Sequence, residues 1–335
     1  MSTILSIVVP VYNVSPYLYE SMDSLLNQDV KDIEIICVDD CSTDGSQQIL
    51  KEISKRDARI QIFFQDTNRG VPVARNLGFC HATGKYVTFF DPDDKVCHDM
   101  YRRLIDVAER YQLEVVQCGF RHIPSMEVSR TGLVCNRPVS PYEYISHTQT
   151  LHSNTEFSFG WRFIYLRKHL LDKGISFNEN IRTGQDGPFN FEAVMSATRV
   201  YYLDKPLYLY RIDNANSIVR TRYKWYMEKS LQLQIEEKKR ICKRYHVDDY
   251  STYTKDMYED IIKRYTNMFF ENIKNNPSHE DLTVGVQRVL NMPMVRDAMN
   301  FVGFRNIYSS WKEYAFYLCM KFRWSRVVAL LINKT

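Results

Sequence analysis

The sequence predicts an α/β protein in which a mostly parallel sheet carries helices on both faces and a helical region follows at the C-terminal end. Short apolar segments alternate with segments of helical periodicity over roughly the first 120 residues, which is the pattern of βαβ units. From about residue 222 only long helical patterns follow. The 335 residues suffice for two or three units of ordinary size. We therefore expect divisions near residues 120 and 220.

The strands and helices of the first part are predicted from their composition and spacing. Five apolar, β-branched runs predict buried strands at residues 5–11, 33–38, 60–64, 86–90 and 114–120. Apolar residues at helical spacing predict the helices between them, at residues 16–26, 46–56, 71–81 and 98–111. Polar side chains follow the strand ends, where open α/β sheets bind their ligands: Asn13, Asp39, Asp40, Asn68, Asp91 and Asp93.

Composition and missing motifs argue against several classes of function. The net charge of +4 is too small to indicate a nucleic-acid partner. The eight cysteines form no C-x-x-C pair, so neither a zinc framework nor a disulfide framework is expected. No G-x-G-x-x-G follows the first strand and no G-K-[ST] loop occurs, which argues against a nicotinamide oxidoreductase and a P-loop protein. Without a basic leader or a membrane-spanning apolar run, we expect a cytoplasmic protein.

The strand at residues 86–90 runs directly into three carboxylates, those of Asp91, Asp93 and Asp94. Like charges this close repel one another, and a bound cation would remove that repulsion. On its own, the stretch fits a solvated acidic turn slightly better, with Pro92 as an ordinary turn former. The neighbouring motifs are needed to distinguish a metal site from a solvated turn.

Four motifs at successive strand ends together resemble the family-2 glycosyltransferases of the GT-A fold, of the type that builds bacterial capsule, exopolysaccharide or lipopolysaccharide. They are VPVYN at 9–13, VDDCSTDG at 38–45, NRGVPVARNLG at 68–78 and FDPDD at 90–94. The departures are Cys41, where glycine is commoner, and Pro92, where a small residue is commoner. The resemblance implies a transferase that uses a nucleotide-diphosphate sugar, most often a UDP-sugar. Residues 1–120 would be its nucleotide-sugar half and residues 121–220 its acceptor and catalytic-base half.

The resemblance assigns several residues to the donor. Asp39 would accept the uracil ring N–H, and the base would be walled by Pro10, Tyr12 and Asn13. Capping or an Asx-turn is the competing explanation for Asp39 and applies more strongly to Asp40.

Three further residues of the donor site are expected around the nucleotide and its phosphates. Asn68 and Arg75 lie in the motif that passes close to the nucleotide and sugar. Arg75 could equally form a salt bridge with the acidic loop. Arg211, or Arg220 further on, would reach the diphosphate once a loop closes.

The carboxylates of Asp91 and Asp93 match the D-x-D motif of the family. Residues i and i+2 of an extended segment share one face, so both can turn toward one diphosphate. The resemblance implies Mn²⁺ or Mg²⁺, with Asp93 as the direct ligand and Asp91 contacting the metal or the ribose. Asp94 is expected only to shape the turn.

A catalytic base is expected in the segment at residues 174–189, where the family has an acidic pair. This chain has Gln185 and Asp186 where Glu-Asp is usual, so Asp186 would take the acceptor proton. A helix N-cap is a fair competing explanation for Asp186, and Glu179 is the reserve candidate for the base. Trp161 could provide a sugar platform, although a packing role is at least as well supported.

The tail at residues 304–335 mixes aromatic and basic residues with a single acid, Glu313. A helix of this composition is typical of helices that lie flat on an anionic membrane. Packing on the protein's own core or in a homodimer would also explain it. The resemblance favours the membrane interpretation, because many such transferases extend a lipid-diphosphate-linked glycan at the inner leaflet. It implies a peripheral protein at the inner face of the membrane, acting on a glycan or a polyprenyl-diphosphate-linked acceptor. A non-catalytic sugar-nucleotide-binding or scaffold protein of the same fold is the alternative.

Overall fold

The computed structural model describes residues 3–146, 157–214, 225–247, 252–276 and 278–334. Its strands are β1 Leu5–Val11, β2 Ile33–Asp39, β3 Ile60–Phe64, β4 Tyr86–Phe89, β5 Lys95–Val96, β6 Val115–Ile123, β7 Pro138–Val139, β8 Phe163–Leu166 and β9 Val200–Arg211. The first four strands agree with the predicted ones to within a residue at each end.

Among the described residues, four α-helices alternate with the first strands and ten more α-helices follow. The first four are α1 Ser15–Leu26, α2 Ser46–Ser54, α3 Val71–His81 and α4 Met100–Tyr111. Three accompany the later strands: α5 Pro141–Ser146, α6 Arg167–Lys173 and α7 Asp186–Ser196. The C-terminal helices are α8 Trp225–Arg244, α9 Thr252–Asp260, α10 Thr266–Asn275, α11 Leu282–Asn291, α12 Pro293–Val302, α13 Trp311–Lys321 and α14 Ser325–Lys334, with a π-helical turn between α9 and α10.

The described strands form one mixed sheet in the order β3-β2-β1-β4-β8-β6-β9-β5, and β7 pairs with β9. Parallel pairing joins β1 to β2 and β4, and β2 to β3, so these strands end at the same edge. Val11 lies opposite Asp39, which places the residues after β1 beside the end of β2. The predicted fold class, a mostly parallel sheet with helices and a C-terminal helical region, is confirmed.

The short strand β8 runs antiparallel between β4 and β6. Beyond it, β9 runs parallel to β6 and also pairs with β5, where Lys95 lies opposite Leu209. The C-terminal end of β9 therefore lies beside the acidic loop that precedes β5. This arrangement brings Arg211 to that loop from more than a hundred residues away in the chain.

The apolar residues of β1 alternate between two cores, one on each face of the sheet. Leu5, Ile7 and Val9 belong to one core and Val8 to the other, so β1 is buried on both faces. A third core lies within the C-terminal helices. The predicted boundary at residue 120 falls inside β6. The division into three regions stays a prediction.

Candidate active site

Asp39 ends β2 and is fully buried. Its Oδ1 atom accepts hydrogen bonds from Ser42 N at 3.0 Å and from Gln47 Nε2 at 2.7 Å. Its Oδ2 atom is buried and has no hydrogen-bond partner among the described residues. Leaving a buried carboxylate oxygen unpaired is unfavourable, so this atom is available to an N–H donor of a ligand.

The neighbouring carboxylate of Asp40 has different hydrogen-bond donors. It accepts hydrogen bonds from Gln65 Nε2 at 2.8 Å and from the backbone N–H groups of Arg69 and Gly70, each at 2.7 Å. Burial raises the pKa of Asp40, and the backbone donors oppose that rise. Asp40 therefore shapes the turn before α3, at which Asn68 is exposed.

The residues predicted to wall a base lie at the end of β1. Pro10 is buried within the strand, and Tyr12 is 45% exposed at the sheet edge. Asn13 has a left-handed φ of 50°, and its Oδ1 accepts a hydrogen bond from Thr43 N at 2.8 Å. The ends of β1 and β2 are thus tied together, and the Tyr12 ring remains accessible beside Asp39.

Arg75 of α3 is 1% exposed and joins two carboxylates. Its Nη2 donates to Asp91 Oδ1 at 2.8 Å, and its Nη1 donates to Asp186 Oδ1. The guanidinium also lies 5.2 Å from the centre of the Phe177 ring. The structure therefore shows the predicted salt bridge to the acidic loop, together with a second partner that the sequence did not indicate.

Asp186 is the first residue of α7 and is buried. Gln185 holds the N-cap position and no side chain caps the helix, so Asp186 does not act as the N-cap. The backbone N–H of Gly160 favours the charged form of the Asp186 carboxylate and lowers its pKa. A Cβ atom at residue 160 would lie 3.0 Å from Asp186 Oδ1, so glycine allows this close approach. Burial raises the pKa of Asp186 to about 6, while the charge of Arg75 opposes that rise. A carboxylate with this pKa suits a general base near neutral pH.

In the acidic loop, Asp93 is partly exposed and Asp94 is fully buried. Asp93 Oδ2 accepts a hydrogen bond from Asn214 Nδ2 at 2.7 Å, and burial with the nearby charge of Asp91 raises the pKa of Asp93. Asp94 accepts from Tyr208 Oη and from Arg211 N, both at 2.7 Å. Burial raises the pKa of Asp94 well above its usual value. Asp94 does more than shape a turn, because it fixes the loop to β9.

Arg211 lies against the same loop. Its Nε donates to the backbone oxygen of Asp93 at 2.7 Å, and its Nη2 donates to Glu20 Oε2 at 2.7 Å. Its guanidinium also lies 5.0 Å from the centre of the Tyr17 ring. The alternative residue, Arg220, lies outside the described residues.

Two other candidates are placed differently from the main cluster. Trp161 is buried, and its ring stacks on Tyr208 with the centroids 3.9 Å apart, so packing accounts for it better than a sugar platform does. Glu179 is exposed and accepts a hydrogen bond from Asn76 Nδ2 at 3.1 Å. Unlike Asp186, neither is a buried carboxylate paired with a cation.

The carboxylates of Asp91 and Asp93 suit a divalent cation whose other ligands are phosphate oxygens of a bound molecule. Within the described ranges, no group of three or more His, Cys, Asp or Glu side chains is arranged to bind a metal. Mg²⁺ is commonly held by one or two carboxylates together with phosphate oxygens, which is the number of ligands available here. A cation would also offset the burial and like charge that raise the pKa of Asp93.

The chain is similar in sequence to known glycosyltransferases. The model of the family "Glycosyl transferase family 2" matches residues 6–172. The chain is 35% identical over 309 residues to "Uncharacterized glycosyltransferase EpsJ" of Bacillus subtilis, covering 91% of this chain and 89% of EpsJ. It is 28% identical over 235 residues to "Putative teichuronic acid biosynthesis glycosyltransferase TuaG" of the same organism, covering 68% of this chain and 88% of TuaG.

The overall structure is similar to that of a protein crystallised with a sugar nucleotide. Residues 1–349 of S. aureus TarS, crystallised with UDP-GlcNAc, superpose with a TM-score of 0.68 at 19% identity. The match covers 98% of this chain and 90% of that one. At this identity the similarity establishes the fold, which is GT-A. The chain belongs to glycosyltransferase family 2 and is a transferase of the GT-A fold.

Proposed function

We propose that the protein is a metal-dependent, inverting glycosyltransferase that moves a sugar from a nucleotide-diphosphate sugar, with a UDP-sugar favoured, to a hydroxyl of an acceptor. The observation that carries the proposal is the buried guanidinium of Arg75, which joins Asp91 of the acidic loop to Asp186. This contact brings the candidate metal ligand and the candidate base to the same end of the sheet.

The donor is proposed to bind at the ends of β1 and β2. The unpaired Oδ2 of Asp39 would accept the N–H of a uracil ring, and the exposed Tyr12 ring would cover the base. Pro10, Asn13 and Asn68 are the proposed neighbours of the nucleotide. TarS, which shares the fold, was crystallised with a UDP-sugar, and this agrees with the proposed donor class.

The diphosphate is proposed to lie at the acidic loop. Asp93 and Asp91 would hold a Mn²⁺ or Mg²⁺ ion, which would stabilise the charge of the departing nucleoside diphosphate. Arg211 borders the same loop and would support the phosphates. Arg75 would orient Asp91 through its 2.8 Å hydrogen bond.

Asp186 is the proposed catalytic base. Its carboxylate would take the proton of the acceptor hydroxyl as the oxygen attacks the anomeric carbon and the bond to the diphosphate breaks. Attack opposite the leaving group inverts the anomeric configuration. Burial keeps the pKa of Asp186 near 6, so the group is ionised at neutral pH and still basic enough to accept a proton.

The acceptor is proposed to be a glycan or a polyprenyl-diphosphate-linked oligosaccharide of a surface polysaccharide, used at the inner face of the cell membrane. The name of TuaG, which refers to teichuronic acid biosynthesis, supports this class of acceptor.

A panel of UDP-sugars with Mn²⁺ and candidate acceptors, scored by UDP release, tests the proposal. We expect transfer from at least one donor, loss of transfer and of metal-dependent donor binding in Asp93→Ala, and loss of transfer alone in Asp186→Asn. Glu179→Gln is the matched control and should remain active. Full activity in Asp186→Asn would refute the assignment of the base. Donor binding with no turnover by the unsubstituted protein across the whole panel would favour the non-catalytic alternative.

A further inference from the structure

The last two helices have one face in the C-terminal core. Tyr317 and Met320 of α13 and Val328 and Ile332 of α14 are buried in that core. The predicted alternative, that the tail packs on the protein itself, therefore holds for this face. It does not account for the apolar residues on the other side of α14.

A second apolar stripe of α14 faces solvent. Val327, Leu330 and Leu331 are exposed, and Leu330 is 64% exposed. Their i, i+3, i+4 spacing places them on one side of the helix. A surface helix of a soluble domain normally has polar side chains there, so this stripe has the composition of a contact surface.

Exposed aromatic rings continue the stripe. Trp324 comes directly before α14, and its carbonyl accepts a hydrogen bond from Val328 N at 2.9 Å. The Phe322 ring lies 5.7 Å from that of Trp324 and 6.2 Å from that of Phe304, which is 65% exposed. We call this set the C-terminal apolar face: Phe304, Phe322, Trp324, Val327, Leu330 and Leu331.

Basic residues alternate along the chain with those of the C-terminal apolar face, and Lys321 Nζ lies 4.9 Å from the centre of the Phe304 ring. Residues 304–334 contain six Lys and Arg and one acid, a net charge of +5, whereas the whole chain has +4. The rest of the chain is therefore slightly acidic. In the part of the chain that the structure describes, no ion pair joins any of these six cations to a carboxylate. The six are Arg305, Lys312, Lys321, Arg323, Arg326 and Lys334.

We propose that the C-terminal apolar face docks on an anionic lipid bilayer, with its rings and aliphatic side chains in the interface and the six cations of the same segment near the headgroups. Charge complementarity selects this occupant. A second copy of the chain would bring the same positive surface against itself across a two-fold axis, and the like charges would repel. The proposal concerns where the protein works, and it stands independently of the proposed catalytic mechanism.

The docking is peripheral. No helix in the described ranges is long and apolar enough to cross a membrane. Each basic residue near an anionic surface strengthens binding by about fivefold at moderate salt. Binding should therefore need anionic lipid and weaken as salt is raised.

Flotation of the full chain with phosphatidylcholine vesicles, with and without phosphatidylglycerol, tests the proposal. We expect the protein to float with vesicles that contain phosphatidylglycerol and to stay at the bottom of the gradient with phosphatidylcholine alone. Trp324→Ser with Leu330→Ser should lose flotation, and so should Arg323→Glu with Arg326→Glu. Leu171→Ser is the matched control, because Leu171 is also an exposed leucine, on α6 far along the chain. It should float like the unsubstituted protein.

Point variants are preferable to truncation, because deleting α13 and α14 would remove core residues as well. Unchanged melting temperatures would show that the variants remain folded. Failure of the unsubstituted protein to float, or flotation of all variants alike, would overturn the proposal. A dimer in light scattering that Leu330→Ser dissociates would overturn it in favour of a second copy. UDP release by the same samples from soluble substrates reports separately on the proposed chemistry.

Discussion

Asp186 combines burial with a cationic partner, and both affect how its carboxyl group ionises. Burial disfavours the charged form and raises the pKa to about 6, although the positive charge of Arg75 favours ionisation. A base with this pKa is ionised above pH 6 and acquires a proton as the pH falls. Its protonation state therefore changes close to neutral pH.

We expect the acceptor kcat/KM, measured at saturating donor and metal, to fall by about tenfold per pH unit below pH 6 and to level off above it. Saturating metal separates this effect from protonation of Asp93. Glu179→Gln should show the same profile. A rate that stays flat down to pH about 5 would contradict a base with the pKa of Asp186.

Asp39 and Asp40 are adjacent carboxylates with different hydrogen-bond partners, and we expect the same substitution to affect them differently. In Asp39→Asn the amide oxygen can keep the bonds to Ser42 and Gln47, but an NH₂ group replaces the unpaired Oδ2. A donor of hydrogen bonds would then oppose the N–H of a uracil ring. We expect calorimetry to show UDP binding weakened by about tenfold to a hundredfold, with little change in melting temperature.

Asp40→Asn provides the contrast. Its two oxygens accept three N–H groups, so an amide would place a donor against a backbone donor of Arg69 or Gly70. We expect a loss of about 1–3 kcal/mol in the free energy of unfolding, seen in urea titration. Equal effects of both substitutions on stability and on UDP affinity would show that the two carboxylates do not have separate roles.

At the scale of single residues, motif order predicted which carboxylates gather at the sheet edge, but not what holds them. Asp94 was expected only to shape a turn, yet its partner Tyr208 lies 114 residues away. The partner of Arg75 in α7 is 111 residues away. Spacing along the chain carries no information about such contacts, because they depend on how distant strands pack.

At the scale of elements, the end of β9 supports the acidic loop. Tyr208 Oη donates to Asp94 Oδ2, and the backbone N–H of Arg211 donates to Asp94 Oδ1, each at 2.7 Å. Both donors come from one strand, and both are needed because Asp94 is fully buried. Asp93 directly precedes Asp94, so its position depends on these two hydrogen bonds.

Tyr208→Phe removes one of the two donors without changing the ring that packs on Trp161. We expect the free energy of unfolding to fall by about 1–3 kcal/mol and the apparent affinity for Mn²⁺ with UDP to fall as well. Tyr201→Phe is the control on the same strand, since the described residues give its hydroxyl no hydrogen-bond partner. It should be nearly neutral. A Tyr208→Phe protein as stable as the control would show that the Tyr208 hydrogen bond is unimportant.

The parallel strands of the first half could be predicted because each is a long apolar run followed by a helix. The antiparallel insertion of β8 could not, since Phe163–Leu166 is four residues long and its composition does not indicate direction. For this reason the sequence predicted the donor half of the site in more detail than the half that contains Asp186.

At the scale of the whole molecule, the C-terminal helices support the helix that carries the proposed base. Glu192 of α7 is mostly buried and accepts hydrogen bonds from Arg240 Nη2 at 2.7 Å and Arg244 Nη1 at 2.9 Å, both on α8. Nearby, Gln234 Nε2 donates to the Thr183 backbone oxygen at 2.8 Å, in the loop that leads to Asp186. The sequence showed a change of character near residue 222 but gave no sign of these contacts.

The two ways of breaking this ion-pair cluster should lower the free energy of unfolding by different amounts. Glu192→Gln leaves two arginines that are each about half exposed and can be hydrated, so we expect a loss of only about 1 kcal/mol. Arg240→Ala with Arg244→Ala leaves a mostly buried carboxylate without a cation, and we expect about 2–4 kcal/mol. Urea titrations of both variants measure this difference.

Because α7 packs on α8, kcat should fall with the double variant even where it is folded, as Asp186 loses its support. Equal destabilisation by the two variants would mean that the desolvated carboxylate does not dominate, and unchanged kcat would mean that the C-terminal helices do not position the base.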